Sequence, residues 1–250
     1  MSAINAPVIM IMVLLLAAAA LAIVLAARKS RAGGTGDPVI RITMVIAIVW
    51  AAFATVGATF NAIAILDPGS GTSITFPVRP FWPEQPEGLE LDGMTAAFDG
   101  VFTQVTAVVT GLTLGPRICW AISQMLWWLI PGVIAALIAL ACRELRAGRA
   151  FAPVVARMAM VTAVVVALGG FAAQVLGDIG GSMAATEALS WDSAVWTGAT
   201  TSDDFAAFWP EPDIQIQLPF WPLAAGLGFA ALAAIFRYGS RLQRDQEGLV

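Results

Sequence analysis

Enzyme chemistry most often draws on histidine, cysteine, lysine and paired carboxylates, and this chain offers little beyond the last. It contains no histidine, which removes the commonest general base and the commonest metal ligand. Its one lysine is Lys29. Cys119 and Cys142 bracket a single apolar segment, so helix geometry holds them roughly 35 Å apart and prevents pairing within one subunit. No CxxC or Cys/His spacing suggests zinc or dithiol chemistry. A serine or cysteine nucleophile would have no base beside it. Two carboxylate groups remain: Glu84, Glu87, Glu90 and Asp92, and Asp203, Asp204, Glu211 and Asp213. Such groups can do acid–base work or hold a divalent cation. Neither has the spacing of a known calcium loop, and acidic loops solvated by water are the plain alternative. No catalytic, cofactor-binding or metal-binding residue is assigned, and the chain reads as a non-enzymatic protein.

Polar residues inside apolar runs are the next candidates. Asn61, Ser123, Gln124 and Gln174 each either bond a neighbouring helix or line a polar path. No ionisable residue stands at the centre of an apolar run, so ion-coupled transport has little support. Arg157 lies one turn into its segment and can snorkel to an interface.

A short echo suggests a surface. Phe81-Trp82-Pro83-Glu84 recurs as Phe208-Trp209-Pro210-Glu211, with Phe220-Trp221-Pro222 as a partial third copy. Phe81, Trp82, Glu84, Phe208, Trp209 and Glu211 form a candidate extracytoplasmic contact surface. The bland reading is aromatic anchoring at a membrane boundary with proline-terminated strand edges.

The elements that position these residues follow from composition. Hydrophobic residues make up 59% of the chain and charged residues 12%, about half the charge of an ordinary soluble domain. The solvent for much of the chain is therefore lipid. Five segments are long enough to span: Pro7–Ala27, about 42–66, Ile118–Cys142, about 153–176 and about 220–236. The first could be a signal peptide, but its charges follow the apolar run, which suits a retained anchor.

Charge orients the chain. Apart from Arg79 and Arg117, every basic residue falls in Arg28–Arg41, Arg143–Arg157 or Arg237–Arg244. The stretches 67–117 and 177–219 are acidic. The positive-inside rule then places the N-terminus outside and the C-terminus inside, and every loop agrees. With basic inner and acidic outer segments, direct nucleic-acid binding is not expected.

The two long loops carry strand patterns. Ile74, Phe76 and Val78 alternate with polar or proline positions, as Ile214, Ile216 and Leu218 do with Gln215 and Gln217, and Val101, Thr103, Val105, Ala107 and Val109 face opposite to Phe102, Gln104, Thr106 and Val108. Asp99-Gly100 is a hairpin dipeptide, with Met94–Phe98 as the incoming strand; segment 101–110 could instead form an amphipathic helix. Residues 177–205 hold a short helix or stay irregular. Gly169-Gly170, Gly226 and Gly228 allow close helix contact, and Pro131 kinks its helix. Arg237, Arg241 and Arg244 fall at helical spacing, so the last helix continues beyond its apolar run. That basic end either rests on anionic headgroups or docks a partner. The expected architecture is an α-helical integral membrane protein with five spans and a small antiparallel β-rich cap. Residues 1–39 form an extra helix and short loop; 40–250 form a four-helix domain capped by 67–117 and 177–219.

Two inner stretches resemble a bacterial family. Arg143-Glu144-Leu145-Arg146-Ala147-Gly148-Arg149-Ala150-Phe151 resembles a helix-end, G-x-P-F, next-helix signature, with Ala150 where the family often has proline. The end from Ile235 to Val250, with Phe236, Gly239 and Leu242, resembles a closing F-x-x-G-x-x-L motif. The family is domain-of-unknown-function family 2975, four-span membrane proteins, and the likeness covers roughly residues 40–250. It implies a bacterial cytoplasmic-membrane location and a cytoplasmic helix-turn-helix regulator as partner. Gly148, Phe151, Phe236, Gly239 and Leu242 become a candidate cytoplasmic contact motif. The reading that follows is a membrane sensor or regulatory partner. A transporter, channel or carrier subunit and a structural envelope protein are the alternatives. The partners expected are the lipid bilayer, that regulator and further copies of the chain.

Overall fold

The computed structural model describes residues 38–82, 100–193 and 209–247. The proposed span at 7–27 and the incoming strand at 94–98 lie outside the described residues. Four helices there are long and apolar enough to cross a membrane, and a small antiparallel sheet accompanies them. We label them α1 (Pro38–Leu66), α2 (Leu114–Arg146), α3 (Pro153–Leu189) and α4 (Trp221–Glu247), with strands β1 (Thr72–Phe81) and β2 (Phe102–Val109). Large apolar side chains such as Val49, Phe53, Phe60 and Ile63 stand exposed along α1, the pattern of a helix whose solvent is hydrocarbon.

The chain divides into two compact units. The first contains the described residues up to Gly57, Trp128–Gly170 and those from Phe220 on. Its core joins Leu137, Ala152, Val155, Ala159 and Ala233, with Phe229 and Phe236 packed against them. Small residues set the spacing. A Cβ on Gly226 would lie 2.7 Å from that of Ala167, one on Gly170 2.7 Å from Pro222, and one on Gly132 2.9 Å from Ala54. These are the close approaches that association within lipid depends on. Gly170 and Gly226 fill the role expected of them, whereas Gly228 faces open space. Residues Val165–Gly169 form a π turn within α3, beside the place where Gly170 meets Pro222.

The second unit holds Ala58–Trp127 and Phe171–Pro219. β1 and β2 pair antiparallel from Thr72↔Val109 to Phe81↔Phe102, with a register irregularity after Pro77. Residues 102–109 are therefore strand, not amphipathic helix. A two-stranded sheet is at best marginal alone; here Ile74, Phe76 and Val78 point onto Leu112, Ala184, Ala185 and Leu189. Those last three belong to α3, which does not stop near 176 but runs to Leu189. Polar residues from Asp178 onward end the apolar run but not the helix, because Ala184, Ala185 and Leu189 have the sheet to bury against.

The pattern at 214–218 is not a strand. Its N–H groups bond to α3 side chains: Gln215 N to Ser182 Oγ at 3.3 Å and Gln217 N to Asp178 Oδ2 at 2.7 Å. Ile214, Ile216 and Leu218 project outward, more than half exposed. The second loop joins the sheet earlier, through a Val78↔Pro212 bridge and the bond from Arg79 N to Glu211 O at 3.0 Å.

Candidate functional site

The second unit encloses a polar cavity of about 200 Å³. α2 lines it with Trp120, Ser123, Gln124 and Trp127, positions i, i+3, i+4 and i+7 of one helical face. α3 supplies Gln174, Gly177, Asp178 and Gly181 from its own matching face. Gln104 of β2 and Gln215 and Gln217 of the extended segment close it. Glycines let these walls approach. A Cβ at Gly180 would lie 3.0 Å from Trp120 N, and one at Gly181 2.8 Å from the Thr75 carbonyl oxygen. Ser123, almost fully buried, donates its hydroxyl to the Ala173 carbonyl at 2.6 Å and locks α2 to α3 beside the cavity.

Among the described residues, Asp178 is the one charged residue lining this space. Its Oδ1 accepts Gln174 Nε2 at 2.8 Å and its Oδ2 accepts the Gln217 N–H at 2.7 Å. An ionised carboxylate has room for about four donors, so acceptor capacity remains. Five glutamines supply amide donors and acceptors, and Trp120 and Trp127 supply indole surfaces. A neighbouring cavity of about 260 Å³ shares Trp120 and Gln124 and includes Asn61 and Thr72. Asn61 Oδ1 and Thr72 Oγ1 are buried there with no partner among the described residues. Together these walls present a negative charge, unused acceptors and aromatic faces, a set suited to holding a small hydrogen-bonding cation.

The carrier reading requires a polar cavity around Asn61, Gln124 and Gln174, and the structure collects them around these two cavities. Sequence reasoning missed Asp178 by assigning it to a loop. Gln174 and Asp178 at i, i+4, followed by the small pair Gly180-Gly181, were the available signal.

The described residues of the aromatic echo each find a contact. Trp82 stacks on Phe102 with ring centroids 5.1 Å apart. Trp209 Nε1 donates to the Leu189 carbonyl at 3.1 Å. Arg79 forms an ion pair with Glu211, and Phe81 pairs with Phe102 in the sheet. Glu84 and Phe208 lie outside the described residues. Of the two basic residues in the acidic stretches, Arg117 is nearly fully buried.

Three of the five residues of the other candidate motif meet one another. Phe151 and Phe236 approach with centroids 6.2 Å apart, and the Phe151 ring covers Gly239 so closely that a Cβ there would clash with it. Gly148 has φ +74°. With the bonds Gly148 N to Leu145 O and Arg149 N to Glu144 O, it completes a Schellman turn ending α2. Arg149 then pairs with the buried Glu144 at 2.7 Å. Leu242 is exposed.

Among the described residues, no three His, Cys, Asp or Glu side chains gather as a metal site. Compared with known proteins, the chain matches no family model, no curated protein and no solved structure.

Proposed function

We propose that this is a non-enzymatic membrane sensor whose polar cavity binds a small, hydrogen-bonding organic cation. One observation carries the reading: among the described residues Asp178 is the only charge lining a cavity that also holds five glutamines and two tryptophans. A carboxylate attracts a cation, and the indoles of Trp120 and Trp127 that line the same space can add to the hold on an ammonium group. The charge bias of the sequence puts this unit on the extracytoplasmic side of a bacterial cytoplasmic membrane, with a fifth span at the N-terminus. The basic segments around Gly148–Phe151 and Phe236–Leu242 then face the cytoplasm. The likeness to domain-of-unknown-function family 2975, which rests on those two motifs alone, supports a cytoplasmic regulator as partner. Co-purification of the full chain from native membranes tests this arm. A recurrent soluble partner that is lost on deleting the segment after Phe236 supports it; no recurrent partner sinks it.

A carrier is the second reading, favoured by the adjoining cavities at Asn61, Gln124 and Gln174. Against it, the core of the first unit packs on alanine and glycine, with Ala159, Ala163 and Ala233 almost fully buried. Uptake of radiolabelled ethylammonium into liposomes carrying the protein separates the two. Saturable uptake supports the carrier, and binding without uptake supports the sensor.

A further inference from the structure

We infer that a groove between α3 and α4 in the first unit is a binding site for the headgroup and upper acyl chain of an anionic phospholipid. The groove encloses about 620 Å³. At its charged part stand Arg157 of α3 and Arg237 and Arg241 of α4, with Met160, Ala233 and Ala234 giving it an apolar wall. Pro153, Arg157 and Met160 are four and three apart on α3, and Ala233, Arg237 and Arg241 four apart on α4, so the groove runs along one stripe of each. It stays open because alanines line the helices where bulkier residues would close it.

The three guanidinium groups have no acidic partner among the described residues; the ion pairs there are Arg79 with Glu211 and Arg149 with Glu144. Asp245, four residues beyond Arg241, is the nearest carboxylate along α4, while Glu144 is already held by Arg149. Three unpaired positive charges converging beside an apolar wall call for a ligand that is anionic at one end and apolar along its length. Guanidinium binds phosphate oxygens in a fixed bidentate geometry. Both helices are apolar enough to cross a membrane, so a lipid fits where a soluble phosphate would leave the wall at Met160 and Ala234 uncovered. The site does not depend on the cavity at Asp178, whereas Arg237 and Arg241 belong to the basic segment that the proposed function turns toward a cytoplasmic partner.

Native mass spectrometry of the purified full chain, titrated with phosphatidylglycerol or phosphatidylcholine, tests this. Wild type retains phosphatidylglycerol preferentially. Arg157→Gln, Arg237→Gln and Arg241→Gln each lower that preference about fivefold, whereas Arg79→Gln leaves it unchanged. An equal loss in Arg79→Gln, or an unchanged preference in the triple variant, overturns the site. Displacement of the lipid by millimolar inorganic phosphate overturns the lipid assignment in favour of a free-phosphate site. If the triple variant fails to fold, Met160→Trp serves, because it keeps every charge and fills the apolar wall. Retention must then fall, and unchanged retention refutes the acyl seat.

Discussion

Asp178 and Gln217 are joined by a 2.7 Å bond from a backbone N–H to a carboxylate oxygen, so the residue that charges the cavity also fastens one of its walls. Its two roles separate by substitution. Asp178→Asn keeps an acceptor for Gln217 but removes the charge; cation binding should be lost while the fold stays near wild type. Asp178→Ala removes both, and the lost charge-assisted bonds should lower stability by about 1.5 kcal/mol. Limited proteolysis of the 214–218 segment, alongside thermal unfolding, distinguishes the two variants.

Gly181 carries a sharper packing demand. A Cβ there lies 2.8 Å from the Thr75 carbonyl oxygen, and a backbone atom cannot swing aside as a side chain can. Gly181→Ala should push β1 from α3, lower stability by about 1–3 kcal/mol and abolish cation binding. Ser182→Ala, next to it, removes only the 3.3 Å bond from Gln215 N and should do far less. Unfolding midpoints of the purified protein with and without ligand check both.

Phe151 and Gly239 form a ring-on-backbone contact. Gly239→Ala should destabilise by about 1–3 kcal/mol through overpacking. Phe151→Leu should relieve much of that loss, giving a coupling energy in a double-mutant cycle. Additive losses would mean that the two positions do not press on each other.

At Gly148, φ is +74°, a conformation costing other L-residues about 1–2 kcal/mol. Gly148→Ala should lose about that much stability, and Gly148→Asn less, since asparagine tolerates the left-handed region better. Chemical denaturation in detergent reads the difference.

Much of this was legible in the sequence because the solvent leaves a simple mark. Apolar runs located all four described spans, and Ile74, Phe76 and Val78 announced their strand by pointing every second side chain into one core. The failures share a cause. Alternation at 214–218 reports an extended backbone but not its partner, and here the partner is Asp178 and Ser182 on a helix. Polarity after residue 176 reports the end of an apolar run, yet α3 continues because Ala184, Ala185 and Leu189 find the sheet to pack against. Tertiary contact decided both cases, and it also assembled the cavity. Gln104, Gln124, Gln174 and Gln217 lie far apart in the chain, and nothing in the local pattern joins them.

The central claim is that Asp178 makes the cavity selective for a small organic cation. Its most direct test is isothermal titration of the full chain with ethylammonium and propylammonium, each beside the neutral alcohol of matching shape. Saturable binding of at least one cation, none of its neutral counterpart, and loss of that binding in Asp178→Asn are expected. Equal binding of cation and alcohol, undiminished binding in Asp178→Asn, or no binding of either cation would contradict the claim.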